Sequence, residues 1–195
     1  GDFPLNFVSV NDLTIVFVPV KTSIDGVTCT STSDQFHNAL RYVRKVFPVN
    51  KINVWKSETI NYNKDPSCHK SGLIVKIWSL NLLTNDPEKN TKYHGLICEN
   101  TVRECLTPGY GYTKFQADES WSYYDSGARS GQTVAHELGH NFHRKHVPSF
   151  QSEPENVDEN YPSLTVHECY PDKSYCWNRR IPSSIRDFGF DGLKV

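Results

Sequence analysis

The chain has 195 residues, enough for one domain with a substantial buried core. Its 21 Lys and Arg nearly balance 22 Asp and Glu, so bulk charge gives no reason to expect nucleic acid or an anionic membrane as a partner. The longest apolar run, LTIVFVPV at 13–20, is far too short to span a bilayer.

Residues 5–20 alternate apolar and polar positions and are rich in Val, Ile and Phe, which predicts a strand. No signal-peptide pattern precedes it, which fits a mature or excised form. STSDQFHNALRYVRKVF (31–47) opens on capping residues and sets Phe36, Ala39, Leu40, Val43 and Phe47 at helical spacing, so a helix ending before Pro48 is expected. A short strand follows at KINVWKS (51–57). SGLIVKIWSLNLL (71–83) fits helix or strand by pattern, and its length and the stop at TNDP tip it toward helix. KYHGLICE (92–99) predicts a strand, GYGYTKF (109–115) a short aromatic strand with glycine bends, and SWSYYDSGARSG (120–131) a polar, aromatic loop. Beyond Val147 the chain is rich in Pro, Asn, Ser and acidic residues and is expected to be irregular.

Six cysteines stand at 29, 68, 98, 105, 169 and 176, none of them in a C-x-x-C pair, so a cysteine zinc site is disfavoured. Cys98/Cys105 and Cys169/Cys176 are spaced to close small loops, which leaves Cys29 and Cys68 to pair by elimination. Six cysteines nevertheless allow about 15 connectivities. The even count favours an oxidising, extracellular setting over free thiols in a cytosolic protein.

The chemistry concentrates in TVAHELGHNFHRKHV (133–147). His136, Glu137 and His140 form H-E-x-x-H. Two histidines four residues apart project from one helix face, about 6 Å apart along the axis, where both can bind one zinc ion. Glu137 is rotated about 100° from His136 and can reach a water on the metal without being a ligand. Such a water has its pKa lowered toward about 7, and the carboxylate can take its proton and pass it to a leaving amine. His143 would stand about 10 Å from His136 along a continuous helix, too far to share its ion. If the helix stops near 142 or 143, His146 can approach from a new direction, and Pro148 keeps Val147 out of helical conformation. The third ligand by this geometry is His146. Chance would place such a pattern in about one chain in a thousand, which sets aside a helix with merely solvated histidines.

HELGHNFHRKH resembles the metzincin zinc peptidases, whose signature is H-E-x-x-H-x-x-G-x-x-H, and GARSGQTVAHELGHNF has the look of their secreted bacterial members. The resemblance covers 136–146. It implies His136, His140 and His146 as ligands of one catalytic Zn2+ and Glu137 as general base. Two positions depart from the pattern. The family glycine is His143 here, at a turn where glycine accepts positive φ without steric cost. The chain also contains no methionine, whereas metzincins carry a methionine turn beneath the zinc. RDFGFDG (186–192) is the nearest counterpart, with Phe188 or Phe190 in the methionine's packing role. In another class of H-E-x-x-H peptidases the third ligand is a downstream glutamate, and Glu159 stands 19 residues after His140. Its surroundings, ENVDEN, look like a solvated acidic loop.

Outside this segment the signals are weak. His37, His69, His94 and His167 lack partners at ligand spacing and are expected on the surface or satisfied in the core. No G-x-S-x-G or phosphate-binding loop occurs, and the acidic run Glu153–Glu159 does not match a calcium loop. GYGYTKF is expected at a sheet edge, where an extended peptide can pair with free N–H and C=O groups. Metzincins bind substrate along such an edge. An internal strand paired on both sides is the alternative.

These readings converge on a single α+β domain over 1–195, with a metzincin-like twisted mixed sheet, two main helices and an active-site helix. The N-terminal subdomain spans about 1–145 and the irregular C-terminal one about 146–195. The expected activity is that of a secreted, monomeric zinc endopeptidase acting on protein or peptide substrates through a zinc-bound water activated by Glu137. Neither nucleic acid nor membrane is an expected partner, and no substrate-binding residue can be named. The competing expectation is a secreted zinc-containing binding or adhesion module without hydrolytic activity.

Overall fold

One long strand with apolar residues on both faces organises the molecule. The computed structural model describes residues 12–47, 49–84, 91–98, 105, 107–112, 118–125, 129–142, 144, 165–169 and 176–180. In it β1 (Leu13–Ile24) turns Leu13, Ile15 and Phe17 to one side and Val18 and Val20 to the other. Its first half lies between β3 (Ile52–Lys56) and β5 (Thr91–Ile97), both parallel to it. Its second half pairs with antiparallel β2 (Val27–Thr30) and parallel β4 (Ile60–Asn61). Beyond β5 the sheet continues through parallel β7 (Glu119–Tyr123) to antiparallel β6 (Gly109–Gly111), in the order β2-β1-β5-β7-β6.

Helices cover both faces, which is why β1 and β5 are largely buried without strict alternation. On the Leu13, Ile15 and Phe17 side lie α1 (Ser33–Val46) and α3 (Arg129–Asn141), packed through Phe36, Leu40, Val43, Val134 and Leu138. The other face carries α2 (Lys70–Thr84), whose Leu73, Ile74 and Ile77 meet Val18, Val20, Tyr93 and Trp121. Helix α1 starts at a capping box in which Thr32 accepts from the Gln35 N–H and Gln35 accepts from the Thr32 N–H. No helix among the described residues is long and apolar enough to cross a membrane.

The α+β class, the mixed sheet and the helices at 33–46 and 70–84 agree with the sequence expectations. Residues 5–11 of the first predicted strand lie outside the described residues. Hairpin strand β2 was not expected. Its signal is Asp25-Gly26, both at positive φ (50° and 78°), the pair that a tight two-residue hairpin favours.

Residues 119–123 correct the reading of a loop at 120–131, since β7 is buried along its whole length. Its polar groups have partners on both faces of the sheet. Ser120 and Ser122 hydroxyls bond the two ring nitrogens of His94 at 2.8 and 2.9 Å. The indole N–H of Trp121 donates to the Lys70 carbonyl, and the Tyr123 hydroxyl donates to Asp65. Polar composition therefore does not force this segment into solvent. The irregular tail is corrected in part as well, because β8 (Thr165–Cys169) and β9 (Cys176–Arg180) form an antiparallel hairpin.

The disulfides differ from the expected pairing. Cys29 bonds Cys98 across 69 residues, and Cys68 bonds Cys105 across 37. Parallel pairing of β1 with β5 brings the end of β5 beside the β2 hairpin, and this tertiary proximity outweighs the short spacing of Cys98 and Cys105. Cys169 and Cys176 are backbone register partners in the β8–β9 hairpin.

His94 is fully buried, and desolvation pushes its pKa down to about 3 from the usual 6.5. The unfolded chain therefore binds a proton that the folded one refuses. His94 costs no stability above pH 6.5, and stability falls as pH drops from 6.5 toward 3, at up to about 1.4 kcal/mol per pH unit. His94→Gln keeps groups able to bond both serines without titrating. Denaturant midpoints measured between pH 4 and 7 are expected to decline less steeply in this variant than in the parent.

Candidate metal centre

Helix α3 carries RSGQTVAHELGHN and buries Ser130, Val134, Leu138 and Asn141 along one stripe. Gly131 lets it cross α1 closely, since a Cβ there would lie 2.4 Å from the Tyr42 Cβ and 2.9 Å from the Ala39 carbonyl. At the other end the Asn141 amide donates to the Glu119 carbonyl at 2.8 Å, and the Phe142 ring packs against Phe47 with the Lys92 ammonium above it.

The face left toward β6 presents His136, Glu137 and His140, with ligand atoms all within 4.8 Å of one another. The Nε2 atoms of His136 and His140 stand 3.1 Å apart, with the rings nearly perpendicular. Two nitrogens bound to one zinc at about 2.0–2.1 Å and tetrahedral angles lie about 3.3 Å apart, so the spacing suits a shared ion. The far nitrogen of His140, Nδ1, lies 2.7 Å from the Arg144 carbonyl oxygen and can only donate to it. That bond leaves the Nε2 lone pair for a metal, the arrangement expected of a ligating histidine.

Glu137 is 5% exposed. Burial raises its pKa well above the usual carboxylate range, and the charge of Lys70 opposes that shift. A dication held by the two imidazoles would restore the ionised form. The donor set of two neutral imidazoles beside one carboxylate therefore fits a divalent metal.

Strand β6 fixes the near wall. A Cβ at Gly109 would lie 2.7 Å from Glu137 Oε1, and one at Gly111 would lie 2.6 Å from the Glu137 carbonyl oxygen and 3.1 Å from the His140 Cβ. These glycines were missed as site residues, although glycine inside a strand signals close approach by another backbone. Lys70 and the Arg144 carbonyl carried no signal in the sequence.

The chain leaves the helix where the sequence analysis expected. The Phe142 and Arg144 N–H groups both donate to the Gly139 carbonyl at 3.0 Å. A six-residue closure of this kind is a common way for a helix to end. His143 and His146 lie outside the described residues, as do Glu159, Phe188 and Phe190. Of the remaining histidines, His37 and His69 are exposed and His94 is satisfied in the core, while His167 falls in β8.

No family model matches the chain, and no curated protein does either. Among solved structures, metalloproteinase-II from Bacteroides fragilis is similar at a TM-score of 0.48 and 17% identity, over 78% of this chain and 48% of that one. This chain thus spans about half the length of that structure.

Gly111→Ala places a methyl group against helix backbone, which cannot move aside as a side chain would. It is expected to cost about 1–3 kcal/mol in denaturant unfolding and to weaken metal affinity, read by competition with a chromophoric chelator.

Proposed function

We propose that the chain is a zinc-dependent endopeptidase, with His136, His140 and His146 as metal ligands and Glu137 as general base. The observation that carries this reading is the pair of imidazole nitrogens 3.1 Å apart with a buried carboxylate beside them. A third ligand is needed, and the return of the backbone over His140 at Arg144 supports His146 for that place. One residue, Lys145, separates it from Arg144.

Bound zinc supplies Lewis acidity, polarising a carbonyl and acidifying a water. Glu137 takes a proton from the attacking water and delivers it to the departing amine nitrogen. Its burial against Gly109 keeps bulk water from competing for that proton. The Nδ1–H of His140 holds its ring in one tautomer and orientation through the Arg144 carbonyl.

Strand β6 ends the described sheet order and is paired on one side by β7. A peptide added along its outer side would run beside the metal ligands, and the backbone pairing would hold it without demanding one sequence. Of the predicted strand at 109–115, residues 113–115 lie outside the described residues. We read 1–195 as one catalytic domain of a secreted protein, an assignment that the two long-range disulfides support.

Glu137→Gln is expected to abolish turnover of an unstructured protein substrate, by at least about a hundredfold, while retaining zinc by elemental analysis. Retained turnover would remove Glu137 from its role, and absence of turnover in the parent protein across a broad peptide panel would favour a binding module. Replacing His136, His140 or His146 with Ala is expected to lose both zinc and activity. His143→Gly is expected to keep both, with a thermal midpoint shifted only modestly, since it installs the residue that a helix-ending turn favours.

A further inference from the structure

On the face of the sheet opposite the histidines, a cavity of about 460 Å³ opens between β6, the start of α2 and the loop leading into it. Its walls include Tyr62, Lys64, His69, Lys70, Ser71 and Tyr110. Two lysines and a histidine thus border it, and among the described residues no carboxylate does. Among the described residues, no carboxylate comes within ion-pair distance of Lys64, His69 or Lys70. Asp65, in the loop leading into α2, accepts hydrogen bonds from the Ser67 and Tyr123 hydroxyls. Helix α2 begins at Lys70 with no acidic residue in its first turn, so its positive end adds to the same potential. The Cys68–Cys105 disulfide ties this loop to the segment that precedes β6, which holds the cavity in place beside that strand.

Side-chain alternation connects the cavity to the metal centre. Gly109 and Gly111 face Glu137 and His140, so Tyr110 between them points to the other face, into the cavity wall. A peptide laid along β6 obeys the same alternation. One set of its side chains points to the helix α3 side, and the residues between them point to the side of Tyr110 and Lys70.

We propose that this cavity is a specificity subsite that receives an acidic side chain of the peptide substrate, with Lys64 and Lys70 supplying the charge. The inference rests on the peptidase reading and names the substrate class for that site: extended peptides with Asp or Glu at one position close to the cleaved bond. The lysines are exposed, so the discrimination is expected to be moderate and to fade as salt rises.

The test uses peptides identical except for Glu, Gln or Lys at each position flanking the cleaved bond. Cleavage is measured as kcat/KM at low ionic strength. In parallel, binding to the Glu137→Gln protein is measured by fluorescence anisotropy. At one flanking position Glu is expected to exceed Lys by about tenfold in both readouts, and Lys64→Glu/Lys70→Glu is expected to reverse the order. Lys64→Gln/Lys70→Gln, which adds no repulsion, is expected to level it. Cleavage without charge preference, or the same preference in parent and variants, overturns the subsite and leaves the peptidase reading standing. Lysine-dependent binding of the Glu peptide without any cleavage has the opposite meaning: the site stands and the peptidase reading fails. Neither binding nor cleavage overturns both.

Discussion

Helix α3 lies so close to β6 that a single methyl group at Gly111 would come within 2.6 Å of helix backbone, and the position of the candidate metal centre follows from that approach. Gly111 lets main chain meet main chain and Gly109 leaves room for the Glu137 side chain, so the wall beside His140 and Glu137 is strand backbone. The helix has little freedom to rotate away, because Gly131 seats its first turn on α1 and Asn141 bonds the start of β7 at its last. Three contacts along thirteen residues thus fix which face looks at β6. A site built on a clamped helix meets the precision that metal ligation requires.

Buried polar groups carry much of the remaining organisation. His94 sits between Ser120 and Ser122 within the sheet, and Asp65 gathers the Ser67 and Tyr123 hydroxyls where the loop before α2 meets β7. Each set satisfies its members internally, and a network of that kind specifies one register more sharply than apolar contact does. A shift of β7 by one residue would move both serines to the α2 face and leave His94 against Trp121 and Tyr123. The Cys68–Cys105 disulfide then fastens the Asp65 loop to the approach to β6, so one wall of the cleft is held covalently as well as by hydrogen bonds.

The helices were legible because their signals are local. Thr32 and Gln35 are three residues apart, Phe36, Leu40 and Val43 form one stripe, and His136 and His140 share a face whatever surrounds them. The end of α3 was legible for the same reason, being set by bonds to Gly139 from residues three and five positions on. Strand β7 was not. SWSY reads as loop because nothing adjacent in sequence could satisfy its hydroxyls, and its partners stand 26 to 58 residues away.

The sequence by itself determined that two imidazoles and a carboxylate would gather on one turn of helix, since a helical repeat of about 3.6 residues leaves no other outcome for H-E-x-x-H. It also determined the class of fold, through apolar spacing that only sheet and helix can bury. Tertiary structure decided what those residues face. The glycines at 109 and 111, the cations at 64 and 70, and the cysteine partners at 98 and 105 all reach their places through strand pairing between distant segments. Which segments pair depends on the summed burial of the whole sheet, and no short stretch of chain contains that sum.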